Sequence, residues 1–209
     1  MALDSHEQEQ IDSLKVFWQH WGKWISVVVA TGLVGFLGYK GFQYYEAQQS
    51  EKAAVVFDRV ASLVDSQNLP QLKSAAQLLQ ADYPSTVYAA RSALVVSKVA
   101  FEKNDLALAQ SQLEWLLKNS KDSTVLAVAH LRLASILLDQ KRYDAAVSEL
   151  TQEHPTTFDA LFLDQRGDVA VAKGDIPAAR DAYKAALAKL VGEAPIRQFI
   201  QTKLDALGG

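Results

Sequence analysis

Between Lys23 and Lys40 the chain carries no charge. The intervening WISVVVATGLVGFLGY, sixteen residues from Trp24 to Tyr39, limits what this part of the molecule can be. At about 1.5 Å of rise per residue a helix over this run reaches about 24 Å, short of the ~30 Å of a bilayer's hydrocarbon core. The flanks supply the rest. Lys23 and Lys40 can bury their stems and lift their ammonium groups to the headgroups. Trp18, Trp21 and Trp24 lie at one end, and Tyr39, Phe42, Tyr44 and Tyr45 at the other. Aromatic rings at both ends suit the two membrane interfaces. The run predicts a transmembrane helix over 24–42, with residues 1–23 as a partly amphipathic tail and 43–209 as a separate domain.

Two other readings fit less well. A cleaved signal peptide wants a basic start and a small-x-small site after the apolar core. Here Asp4, Glu7, Glu9 and Asp12 outnumber Lys15 and Lys23, and bulky Tyr39, Phe42 and Tyr44 follow the core. A core helix of a soluble domain leaves the paired aromatic clusters unexplained. Gly32, Gly35 and Gly38 recur at every third residue, and Ser26/Ala30 and Thr31/Gly35 are small pairs four apart. Such spacing lets a second helix approach closely in lipid. Upstream, Ile11, Leu14, Trp18 and Trp21 form a stripe that either lies along the membrane surface or opens one longer helix. Orientation does not follow from charge: Lys15 and Lys23 on one side face Lys40, Lys52 and Arg59 on the other.

From Glu46 onward apolar residues recur at helical spacing with almost no strand-like alternation. Breaks fall at Asn68-Leu69-Pro70, Asp82-Tyr83-Pro84, Lys103-Asn104-Asp105, Lys121-Asp122-Ser123, Gln140-Lys141-Arg142, His154-Pro155, Lys173-Gly174-Asp175 and Gly192 to Pro195. The prolines sit where helices stop or start, and Ser85, Ser123, Thr156 and Asp175 suit the N-cap. The pattern predicts about nine antiparallel helices, the first of them, near Glu46 to Gln67, continuing from the span.

Within this pattern a unit repeats. Ala109, Ala146 and Ala179 align, 37 and 33 residues apart. Three residues before each is a large apolar side chain (Leu106, Tyr143, Ile176), five before is a turn residue (Asn104, Lys141, Gly174), and twelve before is a small one (Ser97, Ala134, Gly167). Four after each comes Leu113, Leu150 or Tyr183. This is the pattern of tetratricopeptide-like helix pairs, in which small residues let two helices pack closely. Such a pair cannot bury its own apolar face, so pairs stack into an α-solenoid. Arg166 stands at a usually apolar position, and the helix from Ile196 to Leu207 is expected to cap the array. The fold class is all-α: one N-terminal transmembrane helix, then a tetratricopeptide-like α-solenoid.

No catalytic constellation emerges. His6, His20, His130 and His154 make no metal-binding pair at helical spacing, and no nucleophile elbow, P-loop or dinucleotide fingerprint is present. Cysteine is absent, which removes disulfides and thiolate chemistry. A net charge of −3 without a basic run gives no nucleic-acid footprint. No enzyme, cofactor or metal site is expected. Asp164 and Asp168, one turn apart, read as a solvated or partner-facing stripe. What remains is surface. The first helix of each pair would line a groove with Arg91, Leu94 and Lys98, then Val128, Leu131 and Ser135, then Leu161, Asp164 and Asp168. This set runs from basic through apolar to acidic, and suits an extended polypeptide or a partner helix.

The stretch LKVFWQHWGKW ahead of a single span, HLRLA at 130–134 and QRGDVAVAKGDIPAARDAYKAAL at 165–187 resemble the YfgM family, ancillary subunits of the bacterial SecYEG translocon. The resemblance runs from about Glu9 to Leu207. It implies a single-pass protein of the bacterial inner membrane, with a cytoplasmic N-terminus and a periplasmic helical domain. It also implies association with the SecYEG translocon, with membrane-anchored periplasmic chaperones of the PpiD type and with client polypeptides passing to folding factors. It carries over no catalytic residues. A structural or regulatory adaptor, holding one fixed partner and no clients, is the alternative that remains.

Overall fold

Helix caps and left-handed turns set the spacing of this chain. The computed structural model describes residues 5–64, 68–190, 192 and 195–208, the side chains of 5–14 excepted. Among these residues there are nine α-helices and no strand: α1 (Ser5–Val64), α2 (Leu69–Asp82), α3 (Val87–Glu102), α4 (Leu106–Asn119), α5 (Ser123–Asp139), α6 (Tyr143–Glu149), α7 (Asp159–Lys173), α8 (Ile176–Lys189) and α9 (Pro195–Ala206). A 3-10 turn, Thr156–Phe158, precedes α7. The chain divides into two compact units, Met1–Gln49 and Ser50–Gly209.

The first unit is helix throughout its described length. The upstream stripe therefore belongs to one longer helix, although the side chains of Ile11 and Leu14 lie outside the described residues. From Lys15 the helix is long and apolar enough to cross a membrane, and none of its most apolar window is buried by protein. Trp18, Trp21, Trp24, Tyr39, Phe42, Tyr44 and Tyr45 are exposed. The Thr31 hydroxyl donates to the Val27 carbonyl at 2.8 Å, which satisfies a polar group inside the run. A Cβ added to Gly32, Gly35 or Gly38 would meet no atom within 4 Å, so the three present an open, flat strip.

In the second unit each helix pair closes on the next through shared small residues. Ala53 and Val60 of α1 pack with Leu72, Ala76 and Leu79 of α2 and with Ala89 and Val96 of α3. Ala93 and Ala100 of α3, Leu113 and Leu116 of α4, Ala129 and Leu133 of α5, Ala146 of α6 and Phe162 and Val169 of α7 make the central cluster. Ala179 and Tyr183 of α8 with Ile200 and Leu204 of α9 make the last. Contacts run between neighbouring helices, as a linear stack requires.

The three turn residues aligned in the sequence share one conformation. Asn104, Lys141 and Gly174 have φ of 61°, 58° and 82°. In each case the following amide bonds the carbonyl five residues back: Asp105 to Ala100 at 2.8 Å, Arg142 to Leu137 at 2.8 Å and Asp175 to Ala170 at 2.9 Å. That closes a Schellman-type helix end and starts the second helix of the pair at once. Asp105 and Asp175 then cap that helix, accepting from Leu108 N at 3.0 Å and Ala178 N at 3.1 Å. Arg142 supplies no side-chain cap, and α6 is the shortest α-helix described, at 7 residues.

Two caps fall one residue from the sequence expectation. Thr86, not Ser85, caps α3 through its hydroxyl oxygen, and the same hydroxyl donates to the Tyr83 carbonyl at 2.8 Å. Asp122, not Ser123, caps α5, because its carboxylate accepts from both Thr124 and Val125 amides. Arg166 is accounted for by the early end of α6: its guanidinium donates to the Leu150 carbonyl at 3.1 Å and 2.7 Å, satisfying an acceptor that the truncated helix leaves open.

Candidate interaction face

The first helices of successive pairs, α3, α5 and α7, lie side by side, and bonds of one recurring type stitch them together. Arg132 on α5 donates from Nη1 to the Leu94 carbonyl of α3 at 2.9 Å. Gln165 on α7 donates from Nε2 to the Leu131 carbonyl of α5 at 3.0 Å, and also to the Ser135 hydroxyl. Arg132 and Gln165 hold the same repeat position, two residues before the small residues Ala134 and Gly167. Each uses its side chain to reach the backbone of the preceding pair. The sequence held this signal, two long polar donors at one register, but amphipathic patterning files such residues as solvated.

The nine residues expected to line a groove divide by environment. Arg91 and Lys98 are exposed on α3 with half-buried Leu94 between them, and Val128, Leu131 and Ser135 are half-buried on α5. On α7, Leu161 and Asp168 are half-buried, but Asp164 is only 6% exposed. The expectation of a solvated or partner-facing stripe is therefore corrected for Asp164, which is buried, while Asp168 keeps part of its side chain exposed. Lys203 of α9 donates to Asp164 Oδ1 at 2.9 Å and Oδ2 at 3.0 Å, and to Asp168 Oδ2 at 2.8 Å. The Tyr183 hydroxyl donates to Asp168 Oδ1 at 2.8 Å. Lys203 also sits 4.6 Å from the ring centre of Phe199. Lys203 and Tyr183 lie 35 and 15 residues from Asp168 in sequence, so local patterning could not name them.

Electrostatics follow from this packing. Burial pushes the Asp164 carboxyl above its usual value, against the pull of Lys203. Burial, and then the bond to Asp168, push the Tyr183 phenol up. Burial alone lowers the Arg132 guanidinium. The acidic end of the face is thus partly offset from within, by one lysine of the capping helix shared between two carboxylates, while the basic end has no such partner among the described residues.

The small-against-small contact expected between paired helices is a glycine-against-ring contact in the third pair. A Cβ at Gly167 would stand 2.3 Å from Tyr183 Cε1. His130 is a packed histidine rather than a free base, with Nδ1 2.7 Å from Glu149 Oε2. Among the described residues no group of three or more His, Asp and Glu could hold a metal ion.

Residues 15–209 match the family described as tetratricopeptide repeat-like domain. The chain is similar to the ancillary SecYEG translocon subunit of Neisseria gonorrhoeae, 34% identical over 209 residues, 99% of this chain and 100% of the relative. It is similar to that of Haemophilus influenzae, 31% identical over 207 residues with 99% and 100% covered, and to that of Escherichia coli, 28% identical over 207 residues with 99% of each covered.

Proposed function

The chain belongs to the tetratricopeptide repeat-like family of ancillary SecYEG translocon subunits, and from that premise we propose that it is a membrane-tethered interaction subunit of the translocon. The single observation that carries the reading is that one chain has both an exposed apolar helix and a repeat domain in which α3, α5 and α7 share an open, partly apolar face. Its work is recognition and not bond-making.

In this reading the helix spans the inner membrane once over 24–42, the N-terminus is cytoplasmic and the domain from 43 is periplasmic. The glycine strip at Gly32, Gly35 and Gly38 meets a translocon or chaperone helix. The domain holds newly translocated polypeptide, or a membrane-anchored chaperone of the PpiD type, against Arg91, Leu94, Lys98, Val128, Leu131, Ser135 and Leu161. The tether raises the local concentration of that face at the exit of the pore, so weak contacts suffice.

A photo-crosslinking residue at Leu131, in membranes of cells that are secreting protein, tests the reading. Adducts with a translocon subunit, a chaperone or secreted chains are expected. Adducts with lipid or solvent alone would overturn it.

A further inference from the structure

We propose that the exposed face of α3 and α5 recognises an acidic amphipathic helix of a partner protein, its carboxylates on Arg91, Lys98 and Arg132 and its apolar side chains on Leu94 and Leu131. The inference rests on the reading above that this face binds polypeptide, and adds the sign and spacing of the ligand.

The charge of the face is one-sided. At its far end Asp164 is buried and Lys203 bridges it to Asp168, so the acids there are tied to α9, while the cations at the near end are not. At the near end the Arg91 side chain makes no hydrogen bond or ion pair among the described residues. Among the described residues Lys98 meets only Glu102, at 3.8 Å, with side chains 66% and 47% exposed. A pair so long and so exposed is weak and easily exchanged. Arg132 is the strongest indication. Its guanidinium is half-buried, bonds the Leu94 carbonyl, and has no carboxylate within ion-pair reach among the described residues. Burial lowers its pKa, so the protein holds this charge at a cost. An incoming carboxylate would offset that cost and take up guanidinium donors that the bond to the Leu94 carbonyl leaves over.

Spacing gives the ligand its pattern. Arg91 and Lys98 are seven residues apart on one helix, about 10 Å along the axis. Leu94 lies between them, and Arg132 arrives at Leu94's own carbonyl. The face therefore reads cation, apolar, cation, with half-buried Val128 and Leu131 alongside. Its complement is a helix with Asp or Glu at i and i+7 and Leu or Val at i+3 and i+4, laid in the groove as amphipathic helices are. A phosphate would want donors converging on one point, and these are strung along an apolar strip.

The test uses the full chain in phosphatidylcholine nanodiscs and fluorescent alanine-based helical peptides. One carries Glu at i and i+7 with Leu at i+3 and i+4; the other has Gln in place of Glu. The Glu peptide is expected to bind about tenfold tighter, from two charge-assisted contacts on a partly exposed face. Raising the salt should shrink that preference. Arg91→Glu with Lys98→Glu should abolish or invert it, and because both side chains are exposed, an unchanged circular dichroism spectrum will show that the fold persists. Equal binding of the two peptides, no binding of either, or a preference that survives the double reversal would overturn the inference. So would loss of the Glu preference when phosphatidylglycerol replaces phosphatidylcholine, because the cations would then belong to lipid. If Leu131 captures protein in cells while the two peptides bind alike, this inference fails and the proposed function stands; if Leu131 captures none, the proposed function itself fails.

Discussion

Replacing Gly167 with alanine forces a methyl group into space that an aromatic ring already fills. The added carbon would lie 2.3 Å from Tyr183 Cε1, 2.5 Å from Cδ1 and 2.8 Å from Cζ. Carbon atoms settle about 3.5–4.0 Å apart, so the ring must retreat by more than about 1 Å. It has little room to do so: Tyr183 is 2% exposed, and its hydroxyl is held on Asp168 at 2.8 Å. Relief has to come from parting α7 and α8 or from driving the ring off its rotamer, and overpacking of this kind costs about 1–3 kcal/mol. Alanine returns up to about 1 kcal/mol of helix propensity over glycine. Because the blocking atoms are a locked ring and not a flexible tip, the upper part of the range applies, and a net loss of about 2 kcal/mol is expected. For a domain of this size that lowers Tm by about 4–8 °C. The assay is thermal and urea unfolding of the full chain in detergent, with a double-mutant cycle to Tyr183→Leu. The two changes should couple by at least about 1 kcal/mol, since the smaller side chain removes the clash. A Gly167→Ala protein as stable as its parent, or strictly additive costs, would refute the packing described for α7 and α8.

Lys141 holds φ of 58° without being glycine, so Lys141→Gly should stabilise by about 1 kcal/mol, read as a higher urea midpoint at constant slope, whereas Gly174→Ala should destabilise by a similar amount. Arg142→Asp, placing an acceptor where Asp105 and Asp175 have theirs, should add about 1 kcal/mol in the same assay; no change would mean that α6 is limited by something other than its missing cap. Lys203→Met leaves the buried Asp164 carboxylate without its cation and should cost about 2–3 kcal/mol at neutral pH. The sign with pH follows from burial having raised that carboxyl in the fold. Its contribution to stability is fully present below the unfolded pKa of about 3.9 and is lost as pH rises through the folded value. Without Lys203 the rise is larger, so the deficit of the variant should shrink between pH 7 and pH ~4, and a deficit independent of pH would contradict the clamp.

Local regularities were legible from the residues alone. The breaks at Asn104, Lys141 and Gly174 are set by backbone conformation, and all three prove left-handed. The alignment of Ala109, Ala146 and Ala179 is set by close packing, and all three are fully buried. Asp175 caps as expected, Ser85 and Ser123 miss by one residue because Thr86 and Asp122 are adjacent competitors, and Thr156 caps nothing, since it lies inside the 3-10 turn and α7 begins without a side-chain cap. Long-range polar contacts were not legible. Asp164 and Asp168 have the spacing of a solvated helix face, and nothing within a helix of them announces that Lys203 arrives from α9. Arg132 and Gln165 are hidden for a related reason: hydropathy treats a long polar side chain as facing water, whereas here it reaches the backbone of the preceding pair.

Extraction of cell membranes with alkaline carbonate, on the full chain with its N-terminus verified, tests the central claim most directly. A lipid-embedded helix over 24–42 predicts that the chain stays in the membrane pellet and leaves it only with detergent. Release of the intact chain into the aqueous supernatant would contradict the account.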